Sequence, residues 1–178
     1  MQPPRFLVDV MLGRLGRWLR ALGFDAHYDQ ALTDRELVRL ADAEGRVLLT
    51  RDRHLLRELR PRRALEVVHD DPLLQLRSVV DGLSLAPPRE LFTRCLVCNA
   101  PLADVGPADA AALLPPKARA LPGPVRRCPG CGRVYWPGSH ARRMRGALES
   151  ALPGWLRVPD PPDPPDPPDP PDPSRPPP

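Results

Sequence analysis

The first half of this 178-residue chain is predicted to fold as an α/β unit on a parallel sheet, and three observations carry that prediction. Short apolar runs alternate with amphipathic helical segments four times between Phe6 and Leu83, an order that implies parallel strands joined by right-handed crossovers. Acidic residues stand just past those runs, where the strand tips of such a sheet share one edge. From about Pro87 the composition turns to proline, glycine and cysteine, which marks a second, smaller module.

Taken in order, Phe6, Leu7, Val8 and Val10 form the apolar, partly β-branched run of a strand covered on both faces. Asp9 belongs at its carboxyl end, because a lone charge inside such a run is costly unless it is paired or binds a cation. Met11, Leu12, Leu15, Trp18, Leu19 and Leu22 then draw one helical stripe, with Arg14, Arg17 and Arg20 on the opposite, basic face. A short second strand is expected over 24–28. Thr33-Asp34-Arg35-Glu36 reads as a capping box that opens a helix to about Glu44, where Gly45 ends it. Val47 to Thr50 is a third, fully buried strand, and a short basic helix from His54 to Arg60 stops at Pro61. Leu65 to Val68 is a fourth strand, and Asp71-Pro72 caps a helix to Leu83. No further helix is expected until 139–152, and the spacer between the cysteine pairs reads as a loop.

The chain carries +4 overall, but the last twenty residues hold five Asp and one Arg, so residues 1–158 carry +8. Such a balance favours a polyanionic partner, although arginine enrichment from codon bias explains it equally well. No signal peptide and no span of about 18 apolar residues is present, so a cytoplasmic protein without membrane contact is expected. The Pro-Pro-Asp repeat near the end cannot bury a core, and 153–178 reads as a disordered tail.

Asp9, Asp34, Asp52, Asp70 and Asp71 are expected on one rim. Carboxylates gathered without a lysine call for divalent cations, and an all-oxygen set suits Mg²⁺ or Mn²⁺. Paired metals of this kind cleave phosphodiesters. Each acid also has a structural reading: Asp34 and Asp52 as first-turn acids, Asp71 as an N-cap. A receiver-type phosphoaspartate site would need a lysine on a later strand, and Lys117 lies in the other module. A haloacid-dehalogenase-type site would need an acid at position 11, which is Met. Gly13 to Gly16 matches neither a Walker loop nor a dinucleotide fingerprint.

Cys95-x-x-Cys98 and Cys128-x-x-Cys131 are two knuckles of the kind that place four thiolates around one structural Zn²⁺. Arg94, Arg126, Arg127 and Arg133 flank them and Tyr135-Trp136 follows, a mixture suited to stacking on bases and contacting phosphates. The aromatic pair would equally serve to pack the module onto the rest of the chain. His140 would touch a phosphate or cap the last helix.

Together FLVDVMLGRLGRWLRALGFD, TDRELVRLA, GRVLLTRDR, RCLVCNAPL and CPGCGRVYWPGSH resemble the Mut-seven C-terminal RNase family over roughly Arg5 to Leu148. That resemblance implies a PIN-like three-layer α/β/α nuclease domain over 1–86, a zinc ribbon with a C-terminal helix over 87–152, and metal-dependent RNA cleavage. Asp9, Asp34 and Asp52 would then be the Mg²⁺ or Mn²⁺ ligands, Thr50 would orient an acid or a water, and Asp71 would be a weaker fourth acid. Arg14, Arg17, Arg51, Arg53, Arg133 and His140 are the expected RNA contacts. A non-catalytic RNA- or ribosome-binding adaptor is the alternative, and an antitoxin or a second copy of the chain are further partners to test.

Overall fold

The computed structural model describes residues 3–156; most of the stretch expected as a tail lies outside them. Four strands, β1 (Phe6–Val8), β2 (Ala26–Tyr28), β3 (Val47–Thr50) and β4 (Ala64–Glu66), form one sheet in the order β2-β1-β3-β4, every pair parallel. They alternate with α1 (Gly13–Ala21), α2 (Asp34–Glu44), α3 (Arg53–Leu59) and α4 (Pro72–Gly82). The expected α/β class with a parallel sheet is what the chain adopts.

Strand alternation decides which helix covers which face. Phe6, Val8, Val47 and Leu49 join Leu15 and Leu19 of α1 and Leu76 and Val79 of α4 in one core. Leu7 and Leu48, one residue out of phase, pack with Leu37 and Ala41 of α2 and Leu55 of α3 on the other face. Each such side chain removed from water contributes about 1.5–3 kcal/mol before entropy is counted. Phe6 meets Phe24 edge-on at 5.6 Å between ring centres.

Two local expectations change. The first strand stops at Val8, and Val10–Leu12 form a single 3-10 turn, which carries Val10 and Met11 out to 53% and 65% exposure instead of into the core. Arg20 does not share the outer basic face of α1: it is 6% exposed and faces inward.

The cysteine-bearing part contains a small antiparallel sheet of β5 (Ala103–Asp104), β6 (Arg126–Arg127) and β7 (Val134–Tyr135), then α6 (Ser139–Ala151). The spacer is not all loop, since α5 (Pro107–Leu113) forms there and a 3-10 turn follows at Pro116–Ala118. Pro107 at the first helical position and the alanine run after it are the signal for that helix. Met144, Leu148 and Leu152 of α6 bury into the same core as α1 and α4. Trp155, inside the expected tail, packs on that core too, and its indole N–H donates to the Leu85 carbonyl at 2.9 Å. No helix among the described residues is long and apolar enough to cross a membrane.

Candidate active site and metal centre

The order β2-β1-β3-β4 places a topological switch between β1 and β3, since the chain leaves β1 for one neighbour and later returns to its other side. Crevices at such switches, beyond the strand carboxyl ends, are where open α/β sheets bind ligands. Asp9 and Thr50 occupy that place. The Thr50 hydroxyl donates to Asp9 Oδ2 at 2.5 Å, and both residues are buried. Asp9 Oδ1 takes a long 3.5 Å hydrogen bond from the Met11 N–H, so the acid caps the 3-10 turn that ends its strand. Thr50 Oγ1 in turn accepts the Asp52 N–H at 3.0 Å, which links the two strand-tip acids through one hydroxyl.

The other acids are distributed differently. Asp52 Oδ1 accepts from the backbone N–H groups of His54 and Leu55 at 2.7 and 3.0 Å and so caps α3. Asp71 Oδ1 does the same for Leu73 and Leu74 and caps α4. Asp34 is exposed in the first turn of α2, behind the full capping box of Thr33 and Glu36. Asp70 pairs with Arg51 at 2.7 Å, and Arg53 pairs with Glu66 at 2.5 Å, so two of the expected RNA-binding arginines are ion-paired at this rim. Among the described residues the acids do not bring three ligand atoms within 4.8 Å of one another.

The four cysteines do. Their ligand atoms all lie within 4.8 Å of one another, with Cys95 and Cys131 Sγ 3.5 Å apart and Cys98 and Cys128 Sγ 3.3 Å apart. Zn–S bonds of about 2.3 Å set tetrahedral sulfur separations of roughly 3.8 Å. The quartet is therefore close to the size of a ZnS₄ centre. Both knuckles fold alike. Asn99 N donates to Cys95 O at 3.0 Å and Gly132 N to Cys128 O at 2.9 Å, and Asn99 and Gly132 take the left-handed conformation at φ 68° and 73°. The Cys98 and Cys131 N–H groups turn toward Cys95 and Cys128 Sγ at 3.5 and 3.4 Å.

Electrostatics at the quartet suit a cation. Burial pushes the Cys95 thiol up, but the backbone N–H of Cys98 and the hydroxyl of Tyr135 hydrogen-bond its sulfur, and the balance brings it down to about 6. The backbone N–H of Ala100 favours the Cys98 thiolate, yet burial and the neighbouring sulfurs outweigh it and push Cys98 up to about 12. The backbone N–H of Arg133 draws Cys131 below the ordinary thiol value. Sulfurs this close cannot all ionise unaided, whereas a four-thiolate set is what Zn²⁺ accepts. The four cysteines fit, and could hold, such a metal.

Sequence patterning missed the polar joint between the two parts. Arg20 Nε donates to Ala26 O at 2.8 Å, and its Nη1 donates to Leu96 O and Val97 O at 3.2 and 2.8 Å, inside the first knuckle. Asp25 receives Arg46 Nη1 at 2.7 Å and Asn99 Nδ2 at 2.8 Å, while Asn99 Oδ1 takes the Ala26 N–H at 3.1 Å. Arg14 and Arg17 are exposed on α1, Arg17 lies 3.3 Å from His140 Nε2, and Arg133 is exposed beside Cys131. Helix α6 starts at Ser139 behind Gly138, the N-cap residue, with no side-chain cap, so His140 lies within the first turn and does not cap it.

A family model described as the Mut7-C RNAse domain matches residues 4–148. No curated protein and no solved structure gives a match. With a match that spans the sheet, the switch-point acid and both knuckles, the chain belongs to the Mut7-C RNAse domain family.

Proposed function

We propose that the chain is a Mg²⁺- or Mn²⁺-dependent ribonuclease of PIN-like α/β/α architecture, with residues 1–86 as the nuclease unit and residues 87–152 as a zinc ribbon that helps hold RNA. The observation that carries this reading is Asp9, a buried carboxylate held by the Thr50 hydroxyl at the β1/β3 switch point of a chain in an RNase family. In this reading Asp9, Asp34 and Asp52 would hold the cation, and because their carboxylates do not all stand within 4.8 Å of one another, binding would have to draw Asp34 and Asp52 toward the buried Asp9. Bound there, the cation would furnish an activated water and offset charge on the phosphodiester. Thr50 positions both strand-tip acids, because one hydroxyl donates to Asp9 and accepts from the Asp52 backbone. Asp52 keeps its carboxylate fixed by capping α3, and Asp71, committed to α4, is a supporting acid at most.

A second reading, a non-catalytic RNA- or ribosome-binding adaptor, draws on the capping roles of Asp52 and Asp71. Labelled single-stranded and structured RNA, incubated with zinc-loaded protein with and without Mn²⁺, separates the two. The nuclease reading expects Mn²⁺-dependent cleavage that falls in Asp9→Asn by more than about a hundredfold, beyond the 10- to 100-fold typical of a residue that only supports a metal ligand. Thr50→Val should fall within that smaller range. Equal binding of RNA by wild type and Asp9→Asn, with no cleavage under any divalent metal, would select the adaptor.

A further inference from the structure

Beside Arg17 of α1, a cavity of about 590 Å³ opens between the small antiparallel sheet and the start of α6. Its size falls in the range of small-molecule and cofactor sites, roughly 300–1,000 Å³. Phe92, Leu96, Trp136 and Met144 give it an apolar and aromatic wall. Tyr135 beside them is pinned by its hydroxyl, which donates to or accepts from Cys95 Sγ and accepts the Leu96 N–H, both at 3.1 Å. Gly138 is needed against Trp136, since a Cβ there would stand 2.7 Å from the indole Nε1.

The mouth is basic. Arg17, Arg133, Arg142 and Arg145 line it, and none of the four has a carboxylate within 4.0 Å among the described residues, although Arg133 hydrogen-bonds Cys131 and Arg142 donates to the Pro137 carbonyl at 3.2 Å. Arg126, deeper in the wall, is different: it is tied to Glu90 and Asp104 and shapes the cavity instead of offering charge. The acid rim shows the opposite arrangement, because Arg51 and Arg53 there are paired.

An aromatic-walled slot ringed by guanidinium groups that no carboxylate neutralises matches the two halves of one nucleotide, a flat base and an anionic phosphate. A fully paired helix offers the phosphates but keeps its bases stacked inside. We propose that this cavity takes one unpaired nucleotide of an RNA strand, its base against Trp136 and Met144 and its flanking phosphates on Arg17, Arg142 and Arg145. The inference rests on the ribonuclease reading for its choice of RNA, and it makes the substrate class single-stranded or loop RNA, held by a lining that includes none of the strand-tip acids.

The test is binding without cutting. Full-length zinc-loaded protein, with no added Mg²⁺ or Mn²⁺, is titrated with a labelled short single-stranded oligoribonucleotide, the same sequence as a duplex, and the same strand carrying abasic positions. Single-stranded RNA should bind at least about tenfold tighter than the abasic strand and quench Trp136 fluorescence, which the Trp136→Phe variant assigns. Arg142→Gln with Arg145→Gln should weaken binding about tenfold or more and flatten its salt dependence, while Arg57→Gln with Arg77→Gln, neither of which lines the cavity, should leave it within about twofold. Val97→Glu, an exposed lining position, should repel the phosphates even if the double arginine variant fails to fold. Equal affinity for intact and abasic strands, equal affinity for duplex, or capture of a peptide copying residues 159–173 in place of RNA would each overturn the proposal. The two readings fail separately. Base-dependent binding with no cleavage under any metal removes only the nuclease reading, and Asp9-dependent cleavage with base-independent binding removes only this one.

Discussion

The sheet-bearing part and the cysteine-bearing part of this chain reach order by different means. In β1 and β3 every residue is buried, on both faces, and the strands are held by alternating apolar contacts. In β5 both residues are exposed, and β6 and β7 are two-residue strands with no fully buried side chain. A segment with so little apolar burial cannot offset its conformational entropy unaided. Outside α6 and the segment from Leu91 to Leu96, which join the core of the sheet, four clustered thiols and a few buried guanidinium contacts take the place of apolar burial. Stability in the second part is therefore concentrated in a few groups, and it should be lost in a few steps.

Removing zinc should break the comparison most sharply. A structural four-thiolate site is worth on the order of 10 kcal/mol in apparent binding free energy, so chelation should unfold the region around the knuckles while the sheet persists. Two separated thermal transitions after chelation, in place of one, are the expected result, and a single unchanged transition would show that the cysteines carry no such load. Protonation competes with the metal, and Cys95 joins that competition only as pH falls below about 6, so zinc retention should weaken more steeply there.

Arg20→Met tests whether the joint between the parts depends on one side chain. It leaves the Ala26, Leu96 and Val97 carbonyls without their charged donor, at a cost of about 3 kcal/mol, or roughly 10 °C in Tm. Zinc retention should fall with it, because two of those carbonyls lie between Cys95 and Cys98.

Asp25 sharpens the same point through pH. Burial raises its carboxyl, but the hydrogen bonds from Arg46 and Asn99 outweigh that and hold it below the ordinary value of 3.8. A carboxyl depressed in the fold binds fewer protons than in the unfolded chain. Its stabilisation is thus complete above that ordinary value and is lost as pH falls below it, through the folded value. Asp25→Asn should lower Tm most at neutral pH, where the ionised carboxylate stabilises the fold, and change it least in acid, so that the acid limb of Tm against pH flattens. The smallest effect belongs to the exposed Arg53–Glu66 pair: Arg53→Gln should shift Tm by no more than about 2 °C.

Much of the fold was legible locally. The capping box at Thr33, the N-cap at Asp71, and the buried runs at Phe6 and Val47 all act within a few residues, and each formed where its pattern stands, whereas Asp52, expected inside the first turn of α3, stands one step earlier as its N-cap. Helix α5 was legible in principle through Pro107 and its alanines, but the surrounding proline-rich composition reads as loop. At the candidate site, the strand-tip place of Asp9 followed from the cost of burying a charge. Its partner was less visible, since the Thr50 hydroxyl meets it from 41 positions away.

By itself the sequence determined the strand–helix alternation, the parallel sheet and the two cysteine knuckles, because each is a matter of short-range period or spacing. Only the tertiary structure decided that Arg20 turns inward to carbonyls 76 and 77 residues distant, that Asp25 and Asn99 join the two parts, and that four arginines line an aromatic cavity with no carboxylate beside them among the described residues while Arg51 and Arg53 are paired with acids. The physical reason is range. A side chain's helical face follows from its neighbours four residues away, but whether a charge on that face meets water, a carbonyl or a carboxylate depends on which distant segment the fold lays against it.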